Sequence, residues 1–317
     1  MADSSREEIE EFVRQVNITR KLEITIQLPR PARIWILQGN GWFVPQPGLA
    51  ASTIVPDRNV LAALKRMSRD GYDNSNDDHY WLKQLDAPGC QFHCVTAAFE
   101  GKWRAAPTFE QFREEFEAGA EVVRDALPKA TIVEFDDAQL RSIFGLAINR
   151  HDRYAAECLF LQDVSSILAN RVSSKQLLKT EASILDAATS RRVPPTSFVV
   201  LAALSCLYES EGDSEKPSIG RGVIKPKPVY SLEDAHNAAS DIAALEFLAM
   251  MSLVHQKDVG LCTKDLPLFL LWTHARLTSG EAGANGFPSV QGSPHPDLFP
   301  RLEHAAMPAF LDRIRKS

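Results

Sequence analysis

Residues 51–67 read ASTIVPDRNVLAALKRM, and this stretch decides the fold class. Its first part, residues 51–55, is a short β-prone run that ends in Pro56 and Asp57. Over residues 59–67 the apolar side chains recur at helical spacing instead. A strand that passes directly into a helix is the repeating unit of α/β proteins. We therefore predict that Asp57 lies at the carboxyl end of a strand.

Working outward, the N-terminal region is predicted to be rich in β-structure. A short charged helix is expected over residues 5–17, and apolar and polar residues alternate over 22–28 as in a half-buried strand. Residues 33–37 and 42–44 flank Gly39-Asn40-Gly41, a pattern typical of a β-hairpin. This region should form one edge of a sheet.

Further strands and helices alternate along the rest of the chain. Strands are predicted at 91–95, 131–135 and 258–262, and helices open at the capping signatures of Thr108 and Ser231. Strands separated by helices indicate an α/β fold with a mostly parallel sheet. In such sheets ligands bind beyond the carboxyl ends of the strands.

The predicted domain map has a core interrupted by helices. Residues 137–210 show helical patterning almost throughout, and residues 211–229 are rich in Pro, Gly and charge. The full map is an N-terminal helix and β-rich extension at 1–48, an α/β core at 49–136 and 231–279, a helical insertion at 137–230 with a mobile loop at 211–229, and an irregular tail with a short last helix at 280–317.

Composition limits the functional classes. Of the 317 residues, 44% are hydrophobic, which suffices for a sizeable core. The net charge of −6 gives no general attraction to nucleic acid, so any such contact needs a local basic face. The five cysteines lack metal-site spacing, and the acidic N-terminus and short apolar runs predict neither a signal peptide nor a membrane span. We expect a cytoplasmic protein with free thiols.

Four acids stand out by their positions. Asp57 and Asp265 directly follow β-prone runs, Glu100 ends an apolar stretch, and Asp241 lies in a mostly apolar helix. Burying a carboxylate is costly unless it is paired or bound to metal. Each acid alone has a structural interpretation: Asp57 and Asp265 as helix N-caps, Glu100 as a solvated residue, and Asp241 as an ion-pair partner. Their joint arrangement favours one shared site.

The segments around these acids resemble the PIN domain, a family of metal-dependent nucleases. The resembling segments are IVPDRNVL at 54–61, TAAFEG at 96–101, NAASDIAAL at 237–245 and LCTKD at 261–265. The resemblance implies a three-layer α/β/α fold and Mg²⁺ or Mn²⁺ bound by Asp57, Glu100, Asp241 and Asp265. It also implies that Asn59 and Thr263 support these ligands.

Two features depart from the family pattern. The chain is much longer than a minimal PIN domain, which makes 137–230 an insertion, and Pro56 before the first aspartate is unusual. A rival alignment starts at Asp163 and takes 196–204 as the second strand. That alignment puts Ala203 where the glutamate should be, so its acid set is incomplete, and we prefer Asp57.

Basic residues near these segments are candidate phosphate contacts. Lys65 and Arg66 follow Asp57 on a predicted helix, and Lys264 lies inside the last motif. A solvated helix face is the alternative interpretation of Lys65 and Arg66. Residues 216–227 could supply a flexible basic lip. The eight histidines show no paired spacing, so we interpret them as structural or exposed.

The resulting hypothesis is divalent-metal-dependent hydrolysis of a phosphodiester, with RNA preferred over DNA because the resemblance implies it. A metal-activated water would be the nucleophile. Two alternatives stay open: an inactive PIN-like module that binds a protein partner through the helical insertion, and an acidic-site phosphatase on another α/β fold. The sequence does not decide the number of metals or whether the chain forms homo-oligomers.

Overall fold

A mixed, mostly parallel sheet organises the molecule. The computed structural model describes residues 34–38, 43–44, 53–100, 107–210, 218–255, 259–282, 288–292 and 294–316. The helix expected at 5–17 and the strand expected at 22–28 lie outside these ranges. Residues Ala32–Ser317 group into one compact unit.

The described strands and helices alternate as the sequence predicts for an α/β protein. The strands are β1 (Trp35–Gln38), β2 (Phe43–Val44), β3 (Thr53–Pro56), β4 (Gln91–Phe92), β5 (Thr131–Ile132), β6 (Val259–Thr263), β7 (Leu277–Ala282) and β8 (Pro288–Gly292). The α-helices are α1 (Arg58–Asp70), α2 (Asp77–Lys83), α3 (Val95–Glu100), α4 (Phe109–Ala126), α5 (Asp137–Leu168), α6 (Leu177–Ser190), α7 (Phe198–Leu207), α8 (Ile219–Ile224), α9 (Leu232–His255), α10 (Leu266–Ala275) and α11 (Met307–Lys316).

The strand order in the main sheet is β2-β1-β6-β3-β4-β5. The four strands β6, β3, β4 and β5 are parallel, and β1 runs antiparallel to both β2 and β6. The chain moves from β3 outward through β4 to β5 and then returns to β6 on the other side of β3. The order therefore reverses between β3 and β6.

The two central strands are buried along their whole length. Every residue of β3 and of β6 is buried, including Thr53 and Thr263. Unbroken burial of this kind means that both faces of the sheet are covered, as in α/β folds whose helices lie on each side. The carboxyl ends of these strands are thus held in a rigid frame.

Several predicted elements are confirmed. β1 and β2 form the expected antiparallel hairpin arms. Thr108 caps α4 in a reciprocal capping box with Gln111, and Ser231 makes the same exchange with Asp234 at the start of α9. These local signals are strong because each satisfies backbone donors that a helix N-terminus leaves unpaired.

Two predicted irregular regions are wrong in part. Residues Ile219–Ile224, inside the predicted mobile loop, form α8, because Gly220 lets this helix approach α7 closely. A Cβ at Gly220 would lie 2.3 Å from the carbonyl oxygen of Ala202. In the predicted irregular tail, β7 and β8 pair as an antiparallel hairpin. Neither helix α8 nor the hairpin of β7 and β8 has a strong local sequence signal.

The helices of the predicted insertion pack on α9. Arg153 of α5 contacts Glu246 of α9 at 2.9 Å, and the hydroxyl of Tyr154 donates to the carbonyl of His236 at 2.9 Å. The rival alignment fails here, because Asp163 lies within α5 and not after a strand. Asp163 is exposed and pairs with Arg191 at 2.7 Å. Among the described residues no helix has the length and apolarity needed to cross a bilayer.

Candidate metal centre

The reversal of strand order between β3 and β6 marks a switch point at the carboxyl edge of the sheet. Open α/β sheets bind their ligands at such a switch point. Pro56 at the end of β3 pairs with Cys262 of β6, and the amide of Asp57 donates to the Cys262 carbonyl at 2.9 Å. Asp57 and Asp265 therefore follow adjacent parallel strands, as the sequence predicts.

Asp57 is the N-cap of α1 and is buried, with 6% of its surface exposed. Its Oδ1 accepts from the amide of Val60 at 2.6 Å, and its carboxylate also accepts from the Thr263 hydroxyl and the Lys264 amide. The pKa of Asp57 is raised to about 6, chiefly by burial and in part by the nearby carboxylate of Asp265, although these hydrogen bonds lower it. Desolvation outweighs all three bonds.

Asp265 is the N-cap of α10, and its Oδ1 accepts from the amide of Leu268 at 2.8 Å. Its own amide donates to Thr263 Oγ1 at 3.0 Å. Thr263 is fully buried. Its single hydroxyl bonds both to the Asp57 carboxylate and to the Asp265 backbone. The supporting role that the resemblance implies for Thr263 fits this position.

Asp241 lies in the middle of α9 and is half-buried. Its pKa is raised to about 7, chiefly by burial and in part by the carboxylates of Asp265 and Asp57, whereas the charge of Lys225 lowers it. Among the described residues none donates a hydrogen bond to this side chain. Asp241 is therefore an acid without a described hydrogen-bond donor whose charge interacts with two other carboxylates, although these lie 184 and 24 residues away in the sequence.

The carboxylates of the three aspartates are not close enough together to be the direct ligands of one metal ion. Among the described residues, the side chains whose ligand atoms all lie within 4.8 Å of one another are those of His274, His295 and Asp297. The three aspartates do not come this close together. Cation binding at the aspartates would have to draw them inward or use intervening waters. Mg²⁺ commonly keeps several waters, which could bridge it to carboxylates that do not bind it directly.

The fourth predicted ligand is Glu100, the last residue of α3, and its side chain lies outside the described part of the chain. The helix itself is fixed at the site, because Thr96 Oγ1 donates to the Pro56 carbonyl at 2.7 Å. Asn59 occupies the first turn of α1 and is exposed. Helix α1 therefore starts at the carboxyl end of β3, and α3 is hydrogen-bonded to the same end.

The predicted phosphate contacts occupy different environments. Lys65 and Arg66 are exposed on α1, two turns from Asp57, which is about 12 Å along the axis. Lys264 is half-buried and forms an ion pair with Asp78 of α2. The structure thus brings Asp78 near the site, a residue that no sequence motif marks.

Lys225 is a basic residue whose charge reaches the acids. It ends α8 in the left-handed conformation, with φ of 53°, and it is exposed. Its charge acts on Asp241. The sequence placed Lys225 only in a flexible basic lip, together with Arg221 and Lys227, which pair with Glu209 and Asp234 instead. Lys225 differs from Arg221 and Lys227 because it ends the short helix α8. The sequence of α8 is too irregular for this helix to be predicted.

A defined cavity of about 210 Å³ lies elsewhere, lined by residues that include Ser205, Glu209, Ser218, His274 and Asp297. It does not include the three aspartates, so the acidic group is an edge site and not the wall of this cavity. Comparison of the chain with protein-family models, with curated proteins and with solved structures finds no match. The candidate centre is therefore defined by its own residues: three aspartates that interact through their charges near the switch point of a mostly parallel sheet.

Proposed function

We propose that the chain is a divalent-metal-dependent phosphodiesterase that cleaves RNA, and that Asp57, Asp241 and Asp265 hold the metal. The observation that carries the proposal is Asp241. It is a half-buried carboxylate without a described hydrogen-bond donor, and it faces two more carboxylates. Like charges in one crevice destabilise the metal-free protein unless a cation compensates them.

The chemistry of the donors suits Mg²⁺ or Mn²⁺. All three side chains offer oxygen, which hard divalent cations prefer, and no described thiol or imidazole is part of the group. When bound, such a cation acidifies a water for attack and offsets negative charge on the phosphate. Asp57 and Asp265 retain ligand capacity while capping helices, because a carboxylate has about four acceptor positions.

The protein frame orients an anionic substrate at this point. Since Asp57 and Asp265 are N-caps, the N-termini of α1 and α10 both open toward the crevice. Helix N-termini carry partial positive charge and favour phosphate groups. Thr263 fixes the mutual position of the two carboxylates. A phosphodiester in this crevice would meet two helix ends and the charge of Lys225.

Basic side chains would extend the contact along the strand of nucleic acid. The charge of Lys225 acts on Asp241, and Lys225 would contact the phosphate nearest the site. Lys65 and Arg66, about 12 Å away on α1, could reach only a phosphate farther along the chain. This arrangement provides the local basic face that a chain of net charge −6 requires.

A PIN-like fold belongs to the same proposal. Its support is that Asp57 and Asp265 follow adjacent parallel strands, that Asp241 interacts with both, and that α3, which ends at Glu100, is anchored to the end of β3. The choice of RNA over DNA depends on the resemblance alone.

The test is a cleavage assay with single-stranded RNA and DNA of one sequence, titrated with Mg²⁺ and Mn²⁺. We expect metal-dependent RNA cleavage that EDTA stops. Asp57→Asn and Asp265→Asn should reduce the rate by orders of magnitude while folding normally, because Asn also caps helices. Glu100→Gln tests the fourth acid, and Asp163→Asn, at an exposed ion pair, is the matched control.

Undiminished cleavage in Asp57→Asn and Asp265→Asn would refute the catalytic assignment. An inactive interaction module would show metal binding without cleavage of either nucleic acid. A phosphatase would hydrolyse a phosphate monoester such as p-nitrophenyl phosphate and leave RNA intact.

A further inference from the structure

A second group of ligand-type side chains lies at the end of α10, apart from the three aspartates. His274, His295 and Asp297 each place one ligand atom so that all three lie within 4.8 Å of one another. Both histidines are half-buried, and Asp297 is exposed. Two imidazoles and one carboxylate are a donor set typical of Zn²⁺.

The hydrogen bonds leave one ring nitrogen of His274 for a metal. Its Nδ1 lies 2.8 Å from the carbonyl oxygen of Leu270, one turn earlier in α10. A carbonyl only accepts, so Nδ1 must carry the proton, and Nε2 keeps its lone pair. Metal-bound histidines characteristically donate their other ring N–H to a carbonyl or carboxylate in this way.

His295 and Asp297 have the separation of two ligands of one ion. His295 Nδ1 lies 3.5 Å from Asp297 Oδ2. Two ligands at about 2.1 Å from a tetrahedral zinc lie about 3.4 Å apart. The Nδ1 atom now accepts from the Asp297 amide at 3.2 Å, a bond that the metal would replace.

The backbone holds the group in place. The amide of His295 donates to the carbonyl of His274 at 2.7 Å, which joins the segment directly to the last turn of α10. Leu298 and Phe299, just beyond Asp297, are fully buried. Ligands on a fixed backbone need little reorganisation to bind.

We propose that His274, His295 and Asp297 bind one Zn²⁺ ion, with its fourth coordination position facing the cavity of about 210 Å³ that His274 and Asp297 help to line. Three protein ligands with one open position are the arrangement of zinc sites that accept water or a small anionic ligand. The hydroxyls of Ser205 and Ser218 on the cavity wall would contact such a ligand. The zinc would also clamp residues 294–300 to α10.

The test is calorimetric titration with ZnCl₂ in the background Asp57→Asn/Asp241→Asn, which removes the other acidic group. We expect one Zn²⁺ per chain and a rise in Tm on binding, because the ion binds the folded chain. His274→Asn, His295→Asn and Asp297→Asn should each weaken binding about 10-fold or more. Asn can donate to the Leu270 carbonyl and accept from the Asp297 amide as the two histidines do, so the metal-free variants should retain most of the Tm of their parent. His304→Asn, an exposed histidine, is the matched control.

Co²⁺ provides a second readout. A tetrahedral Co²⁺ site gives intense visible absorption bands, which the three ligand variants should abolish and His304→Asn should keep. Equal Zn²⁺ affinity in the parent and in a His274→Asn/His295→Asn variant would overturn the proposal. So would absence of binding in the parent at millimolar ZnCl₂.

Discussion

The hydroxyl of Thr263 donates a hydrogen bond to the buried carboxylate of Asp57, which joins the last residue of β6 to the residue that follows β3. The same hydroxyl accepts from the amide of Asp265 at 3.0 Å. One buried side chain therefore sets the positions of two proposed metal ligands. The last residue of a central strand thus positions the site at the switch point.

Thr263→Val removes that hydroxyl with almost no change in shape. We expect a loss of about 2 kcal/mol in the free energy of unfolding, because a buried carboxylate and a buried amide each lose a partner. The pKa of Asp57 should rise further, so protons should compete better with Mn²⁺ and weaken its binding at pH 7. Urea unfolding and Mn²⁺ titration measure both. Thr53→Val, a buried threonine at the start of β3, is the control, and equal effects of the two variants would contradict the account.

Asp241 predicts a specific pH dependence of stability in the metal-free protein. Its pKa in the folded chain, about 7, lies above the ordinary value of 3.8, so the folded state binds more protons than the unfolded state between pH 4 and 7. The free energy of unfolding should therefore fall as pH rises through this window. Asp241→Asn lacks this titration and should be about 2 kcal/mol more stable than wild type at pH 8, and similar at pH 4.

Urea unfolding in EDTA from pH 4 to pH 8 measures that difference. Asp163→Asn should show no comparable gain, because Asp163 is exposed and paired with Arg191. A wild-type advantage over Asp241→Asn that grows as pH rises would show that Asp241 has a cationic structural partner, and a difference that stays constant with pH would contradict the raised pKa.

Lys225 predicts an effect on substrate binding. Lys225→Asn removes the charge next to Asp241, and Asn tolerates the left-handed backbone found at this position. We expect a several-fold rise in KM for RNA and a smaller change in kcat, with an unchanged Tm. Lys175→Asn, at an exposed lysine in the 3₁₀ turn Ser174–Gln176, should leave both constants unchanged. Equal kinetics for the two variants would exclude Lys225 from the substrate path.

A substitution at Gly220 tests the packing of α8 on α7, which positions Lys225. A Cβ at this position would lie 2.3 Å from the Ala202 carbonyl and 2.4 Å from the Cys206 amide, both backbone atoms that cannot turn aside. Gly220→Ala should therefore cost about 2–3 kcal/mol of stability. Gly89→Ala, where a Cβ meets nothing within 4 Å, should change stability by less than about 1 kcal/mol. Thermal and urea unfolding compare the two, and a tolerated Gly220→Ala would mean that α8 is not packed closely on α7.

The parts of the fold that sequence predicts well are those with local causes. The strand-to-helix passage at Asp57 and the capping boxes at Thr108 and Ser231 depend on residues within four positions of each other, and the structure has all three. The positions of Asp57 and Asp265 after adjacent strands also follow, because parallel strands end at one edge.

What sequence could not supply depends on contacts between distant residues. The hairpin of β7 and β8 and the helix α8 form in stretches that Pro and Gly mark as irregular, and tertiary packing overrides that signal. The ion pair of Lys264 with Asp78 joins residues 186 positions apart. The group of His274, His295 and Asp297 was missed because its histidines lie 21 positions apart in the sequence, so no local spacing brings them together.

The most direct test of the central claim, that Asp57, Asp241 and Asp265 hold a divalent cation, is Mn²⁺ titration monitored by electron paramagnetic resonance. The protein should carry His274→Asn/His295→Asn so that the second proposed site is absent. We predict saturable Mn²⁺ binding that each of Asp57→Asn, Asp241→Asn and Asp265→Asn weakens about 10-fold or more, and that Asp163→Asn leaves unchanged. Binding of Mn²⁺ that is equal in all four variants, or absent from the parent at millimolar Mn²⁺, would contradict the claim.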